Sequence, residues 1–275
     1  MTEERFKVGI VGGGAMGEAL VRGLLAAGTL SPAELMVSEV HGPRREYLER
    51  ETGIRTVAEN GRLVEFGDVL ILAVKPHVVG DVAAEIRPGL RPSQTVISIA
   101  AGVSLEYIEK SLGEGFPVIR VMPNTPALVG AAASAYCLGR YAGPRDGARA
   151  RTVLEAVGRT VQVEERLLDV VTGLSGSGPA YMFLVLEALA DGAVRMGLPR
   201  DISVMLAAQT MYGAAKMVLE TGEHTGRLKD MVTTPGGTTA AGLFALEEGA
   251  VRAALQRAVE EATARAREID ERGGS

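Results

Sequence analysis

Seven residues near the start of the chain, Val-Gly-Gly-Gly-Ala-Met-Gly at 11–17, have the composition and spacing of an anion cradle. Glycine recurs as Gly12-x-Gly14-x-x-Gly17. Gly12 permits a tight turn, Gly14 lets backbone approach a pyrophosphate, and Gly17 lets a helix pack closely on a strand. The spacing alone is weak, because 35 glycines generate chance matches. Its context gives it weight: the apolar run 6–11 precedes it and an amphipathic stretch follows. The first N–H groups of that helix would face the anion. Dinucleotide binding is the expectation.

Other residues with chemical potential are fewer. Glu39 follows the next strand-like run, 34–38, where a carboxylate takes the ribose hydroxyls of NAD. Arg44 and Arg45 stand close by and would suit the 2′-phosphate of NADP, so both cofactors stay open. Leu-Ala-Val-Lys-Pro at 72–76 places Lys75 at the carboxyl end of an apolar strand, in the crevice where such sheets bind ligands. Pro76 opens the following helix at its first position. Only two asparagines occur, Asn60 and Asn124, beside 24 Arg and 5 Lys. Asn60 stands at a helix start, where capping accounts for it. Asn124 is held between two prolines in Arg-Val-Met-Pro-Asn-Thr-Pro (120–126), at another strand end.

The stretch 173–181, Gly-Leu-Ser-Gly-Ser-Gly-Pro-Ala-Tyr, reads as a flexible, hydroxyl-bearing loop. Ser175 and Ser177 superficially match a hydrolase elbow, but no strand precedes them, and His41, His77 and His224 lack a triad context. The scattered histidines and the single Cys137 exclude a motif-level metal site and an internal disulfide. Finally, Thr-Thr-Pro-Gly-Gly-Thr-Thr at 233–239 interrupts two Ala- and Leu-rich stretches. By composition it is an interhelical turn.

The elements that must position these residues fall into two regions. Up to about residue 164, β-branched runs alternate with amphipathic stretches, which implies βαβ units in a doubly wound, mainly parallel sheet. The runs are 6–11, 34–38, 68–74, 94–100 and 117–122. A helix after the glycine loop buries Met16, Leu20, Leu24 and Leu25, and a polar helix covers 43–51. From 165 to 275 the expectation is an all-helical domain. Its long helices, 179–197 and 201–220, are apolar nearly all round; Asp201 is a candidate N-cap for the second. Such helices need burial on all sides, which about 110 residues cannot supply, so a second subunit is expected to complete it. Glu187, Asp191, Gln209 and Lys216 argue against membrane spans.

Composition narrows the partners. The chain has 275 residues, 47% hydrophobic and 23% charged, with net charge -5. That is an ordinary globular balance without a basic run, and nucleic acid is not expected. A lone cysteine fits a reducing compartment, and the N-terminus reads as neither signal peptide nor anchor, so the expected location is the cytoplasm.

With Gly-x-Gly-x-x-Gly, Leu-Ala-Val-Lys-Pro, Val-Met-Pro-Asn-Thr-Pro, Ser-Gly-Ser-Gly-Pro-Ala-Tyr and Thr-Pro-Gly-Gly-Thr-Thr in this order, the sequence resembles pyrroline-5-carboxylate reductases. The resemblance implies an N-terminal Rossmann domain, an all-α C-terminal domain that interlocks with a second copy, and dimers that often join into larger rings. It implies reduction of the small molecule 1-pyrroline-5-carboxylate to L-proline with NADPH or NADH. Val11, Gly12, Gly13, Gly14, Ala15 and Met16 would line the pyrophosphate; Glu39 would meet the adenosine ribose and Asn60 the adenosine side. Ala73, Val74, Lys75, Pro76, Ala100 and Ala101 would border the cofactor, and Asn124 its nicotinamide end. Gly236, Gly237, Thr238 and Thr239 would hold substrate: backbone N–H groups take its carboxylate, and the Thr239 hydroxyl, the one catalytic side chain, reaches the ring nitrogen. Some relatives carry Glu where Gly222 stands, so the adjacent Glu223 joins the substrate group.

Three alternatives accompany this reading, one of them a purely structural helical dimer module, which would not need both glycine loops. Hydroxyacid reductases place a Lys on the helix between domains, and 179–192 has none. A nucleotide sensor that kept only the Rossmann half would lose the substrate loop, yet 233–239 is intact.

Overall fold

Strand β1 (Val8–Val11) and strand β4 (Val69–Leu72) are completely buried four-residue runs, as required of parallel strands covered on both faces. They lie side by side at the centre of an eight-stranded sheet in the computed structural model, which describes residues 5–273. The order is β3-β2-β1-β4-β5-β6-β7-β8, with β2 Leu35–Ser38, β3 Arg55–Val57, β5 Thr95–Ser98, β6 Val118–Met122, β7 Ala132–Leu138 and β8 Gly158–Gln162. All pairs are parallel except β6 with β7, which run antiparallel with Ile119 opposite Leu138. Chain order reverses direction across the sheet between β1 and β4, which opens a crevice at their carboxyl ends.

Helices cover both faces. α1 (Ala15–Ala26) buries Leu20, Val21 and Leu24 against β1, with Met16 and Leu25 partly buried beside them. α2 (Gly42–Thr52), α3 (Gly61–Phe66), α4 (Val79–Ile86), α5 (Leu105–Leu112) and α6 (Pro144–Glu155) complete the layers. β3, β7 and β8 are additions to the sequence reading. β3 has three residues, β7 is rich in Ala, and β8 is half exposed, so none forms the continuous branched apolar run of a central strand.

After β8 no strand follows among the described residues. α7 (Leu168–Val171) runs into a π-turn, Thr172–Gly176. The expected flexible loop at 173–181 is therefore helical: Ser177 N donates to Thr172 O at 2.8 Å and the Ser175 hydroxyl to Val171 O at 3.1 Å. Hydroxyls bonded to the preceding turn satisfy the backbone that Ser and Gly would otherwise leave loose.

Compactness separates one unit that ends at Ser177 and resumes at Glu261 from a second, Gly178–Glu260. Residues 165–177 pack with the sheet and belong to the first unit. The second unit holds α8 (Gly178–Arg195), α9 (Arg200–Thr221), α10 (Thr225–Met231), α11 (Thr238–Glu248) and the start of α12 (Val251–Gly273). α8 packs on α9, and Tyr181 donates to Ala258 O at 3.2 Å. Asp201 is not the N-cap of α9: Pro199 holds that place and Asp201 lies inside the first turn, where a carboxylate still favours the helix dipole. Ala190 and Ser203 are the buried residues of α8 and α9, while Phe183 is 64% and Tyr212 60% exposed. By length and composition α9 is apolar enough to cross a membrane.

A buried arginine in the first unit anchors a cluster of ion pairs. The Arg120 guanidinium on β6 bonds Glu165 at 3.1 Å and Asp270 of α12 at 2.8 Å. Burial pulls its pKa down, but the two carboxylates outweigh that and hold it above the ordinary value. Close by, burial and then the charge of Asp270 raise the Asp169 carboxyl. A carboxyl raised by folding stabilises below its unfolded pKa, and that contribution is lost as pH rises through the folded one. Asp169→Asn is therefore expected to increase stability at pH 7.5 and to match the parent near pH 4. Urea midpoints at both pH values test this; a lower midpoint for the variant at pH 7.5 contradicts it.

Candidate active site

The glycine loop sits at the carboxyl end of β1, in the crevice next to β4. Gly12 N donates to Ser38 O at 2.9 Å and Ala73 N to Val11 O at 2.8 Å, which ties the ends of β1, β2 and β4 together. Gly12 has φ +101°, and a Cβ there would lie 2.5 Å from Ala73 O. A Cβ on Gly17 would lie 2.2 Å from Gly12 O. Both glycines are therefore demanded by packing. Gly14 is different: nothing lies within 4 Å of the position of its Cβ, so that face of the loop is open.

Gly14 is also the N-cap of α1, without a side-chain cap, and the first intrahelical bond is Glu18 N to Gly14 O at 2.9 Å. The N–H groups of the first turn have no intrahelical acceptor and carry the positive end of the helix dipole. An open backbone face against such a helix start fits a dinucleotide pyrophosphate.

Glu39 stands beside this loop. Its Oε2 accepts from Gly13 N and its Oε1 from His41 N, each at 3.0 Å. Arg44 lies across the loop's other edge, donating to Gly13 O at 2.6 Å and pairing with Glu18 at 2.5 Å. Burial would raise the Glu18 carboxyl, but its bonds to Arg22 and Arg44 prevail and hold it below the usual range. Arg45 turns back to Glu39 O and Val40 O.

Asn60 corrects an expectation. It occupies the N-cap of α3, yet its side chain caps nothing. Instead it accepts from the Ser38 hydroxyl at 2.6 Å and donates to Glu85 at 2.7 Å, bridging the end of β2 to α4. Pro76 does open a helical turn, Pro76–Val78, with Lys75 as N-cap. Lys75 itself is exposed.

Beyond the loop a cavity of about 270 Å³ is bordered by Met16, Ala73, Val74, Ala101 and Asn124 from the expected set, joined by Ile99, Met122, Thr125 and Gly176. Met122, Pro123, Thr125 and Gly176 lie in motifs already conspicuous in the sequence; Ile99 carried no signal beyond being a strand-end residue. Asn124 is at the cavity, but its amide serves the scaffold: Nδ2 donates to Ser175 O and Oδ1 accepts from Ala133 N, both at 3.0 Å. It thus fixes the wall from three elements. Ala100 is buried at the same end of β5. Cys137 is buried, and desolvation pushes its thiol up to about 12, which leaves no thiolate for nucleophilic work.

The expected substrate residues lie in the second unit. Thr238 and Thr239 are the first two residues of α11, and Gly237 is its N-cap. Gly237 N closes a turn to Thr234 O at 3.0 Å, with Gly236 at φ +67°. A Cβ on Gly237 would meet Thr234 Oγ1 at 2.2 Å. The two glycines thus let Pro235 turn the chain sharply into a fresh helix start, the same anion-binding device as at Gly14. Glu223, just before α10, pairs with Arg227 of that helix at 3.4 Å. Among the described residues no group of three or more His, Cys, Asp or Glu could hold a metal.

Comparison with known proteins fits this geometry. Residues 165–269 match the family model for pyrroline-5-carboxylate reductase dimerisation, and 7–102 match that for NADP oxidoreductase coenzyme F420-dependent proteins. The chain is 48% identical to a pyrroline-5-carboxylate reductase of Methanosarcina acetivorans, over 97% of this chain and 98% of the relative. It is 45% identical to one of Arabidopsis thaliana, over 98% and 97%. The solved pyrroline-5-carboxylate reductase of Coxiella burnetii superposes with a TM-score of 0.92 at 35% identity, covering 97% and 99% of the chains. The pyrroline carboxylate reductase of Plasmodium falciparum, solved with NADP bound, gives 0.85 at 32% identity over 97% and 99%.

Proposed function

The chain belongs to the pyrroline-5-carboxylate reductase family, and from that premise we propose how its residues divide the work. It reduces 1-pyrroline-5-carboxylate to L-proline, the last step of proline biosynthesis, with NADPH or NADH. Residues 1–164 bind the dinucleotide; 165–275 dimerise and bind substrate. When bound, the nicotinamide supplies the hydride. The first-turn N–H groups of α1 hold the pyrophosphate over the open face at Gly14, and Gly12 and Gly13, whose N–H groups go to Ser38 O and Glu39, shape the loop beneath it. Met16, Ala73, Val74 and Ala101 give the cavity an apolar wall that keeps water from the reacting carbon.

The substrate's C=N is basic enough to be protonated near neutral pH, so the protein needs alignment more than a strong acid. The N–H groups at the start of α11, at Thr238 and Thr239, hold the substrate carboxylate. The Thr239 hydroxyl orients the ring nitrogen, and Glu223 borders the substrate. The observation that carries this reading is the pair of bare helix starts, Gly14 for α1 and Gly237 for α11, one for each anion of the reaction.

The protein is a homodimer, and its apolar α8 and α9 surface supports that. A buried Leu or Phe is worth roughly 1.5–3 kcal/mol, so a second copy over these helices removes a large cost. Interlocking of the copies, rings of dimers, and a cytoplasmic location away from membranes belong to the same proposal; Lys216 within α9 makes a bilayer an expensive alternative. In the assay, purified protein oxidises NADH or NADPH, followed at 340 nm, only when 1-pyrroline-5-carboxylate is added, and the active species has at least the mass of a dimer. No oxidation with either cofactor, or an active monomer, sinks the corresponding part.

A further inference from the structure

We propose that Glu39 makes this protein NADH-selective, with Gly13 and the start of α2 as the devices that hold it. The inference rests on dinucleotide binding at the glycine loop and adds the identity of the preferred cofactor. The sequence leaves two readings, an acidic residue for the ribose diol or two arginines for a 2′-phosphate. The placement of the three side chains decides between them.

The Glu39 carboxylate is fixed by two main-chain donors from opposite sides, Gly13 N on Oε2 and His41 N on Oε1. Each oxygen keeps a lone pair for a further donor. Two vicinal hydroxyls are such a donor pair, and a carboxylate already locked in place pays little rotamer entropy to receive them. Gly13, which the Gly-x-G-x-x-G spacing does not require, has its reason here. A Cβ at Gly13 would lie 3.2 Å from Glu39 Cβ, 3.3 Å from Glu39 Oε2 and 2.7 Å from Leu48. The glycine makes the room in which the acidic side chain sits.

The arginines are committed elsewhere. Arg44 spans Gly13 O and Glu18, with its guanidinium 4.9 Å from the Tyr47 ring centroid. Arg45 donates to Glu39 O and Val40 O. A 2′-phosphate would have to break these bonds and would bring a dianion against the held carboxylate. The start of α2, a third attraction for an anion, has Glu39 beside it already, through the N–H of its N-cap His41. This preference departs from the NADP that appears with the matched N-terminal family model and the Plasmodium falciparum relative.

Calorimetric titration with NADH and NADPH tests the proposal without substrate, so its failure is separate from failure of the reductase activity. The native protein is expected to bind NADH at least about tenfold more tightly, a difference of roughly 1.4 kcal/mol. Equal or tighter binding of NADPH overturns the proposal. Glu39→Ser is expected to bring the two dissociation constants within about threefold, by losing NADH affinity and gaining NADPH affinity; an unchanged ratio counts against it. Arg44→Ala separates the competing reading. Equal effects on both cofactors are expected, whereas a selective loss of NADPH binding assigns the 2′ position to Arg44 and overturns the role of Glu39.

Discussion

Gly14→Ala is expected to leave the protein within about 1 kcal/mol of parental stability and to weaken binding of the dinucleotide by roughly 30-fold. The small stability effect follows from the surroundings. The backbone at Gly14, φ -67° and ψ -172°, suits any residue, and an added Cβ meets no protein atom within 4 Å. What remains is the weaker capping of alanine relative to glycine, a few tenths to ~1 kcal/mol. The binding effect has a different source. The added methyl occupies the open face above the α1 start and holds the pyrophosphate away from its donors. Loss of one charge-assisted hydrogen bond is worth about 2 kcal/mol, which is the 30-fold.

Gly17→Ala supplies the contrast, since its Cβ would lie 2.2 Å from Gly12 O and the helix must shift. It should lose stability and affinity together. Urea denaturation and cofactor titration on both variants separate the cases. If Gly14→Ala binds cofactor as the parent does, the pyrophosphate does not lie over that face.

Thr239→Ala is expected to lower kcat/KM for 1-pyrroline-5-carboxylate by about five- to thirty-fold, the ~1–2 kcal/mol of a hydrogen bond made to the reacting nitrogen. Thr239 is the second residue of an 11-residue helix whose cap is Gly237, so the hydroxyl is dispensable for the cap itself. Cofactor affinity measured without substrate should therefore not change. Thr239→Ser, which keeps the hydroxyl, should recover most of the activity. A Thr239→Ala enzyme within about twofold of the parent would remove Thr239 from the reaction and leave the substrate to the backbone of α11 alone.

Several site features were legible in the chain because their causes are local. The glycine pattern at 12–17 stands between a buried strand and a helix, so the turn at Gly12, the backbone approach at Gly14 and the helix packing at Gly17 follow from its spacing, whereas Gly13 owes its place to Glu39. Pro76 opens a turn because its ring fixes φ and removes a donor that the turn start would leave unused. The apolar runs that became β1, β4, β5 and β6 announce parallel strands buried on both faces. The over-apolar helices α8 and α9 announce a missing surface, and their exposure in a single chain is the observed counterpart.

Other features depended on partners far away in sequence. Asn60 looks like a cap because Asn before a helix usually is one, but Ser38 and Glu85, 22 and 25 residues away, take its amide. Ser175 and Ser177 look like loop residues until the π-turn bonds them to the preceding helix. β7 and β8 carry too little branched apolar character to be recognised alone and become strands through β6, which β7 meets antiparallel.

By itself, then, the sequence determined where backbone must be bare, where strands must be buried and which helices need covering. These are statements about one residue and its immediate neighbours, where steric freedom and hydrophobic period act directly. The tertiary structure alone decided how the charged and amide side chains are spent: Glu39 on Gly13, Arg44 on the loop carbonyls, Asn124 on Ser175 and Ala133, Arg120 on Asp270 at a separation of 150 residues. A hydrogen bond needs its partner within about 3 Å and in line, and only the closed sheet brings those partners there.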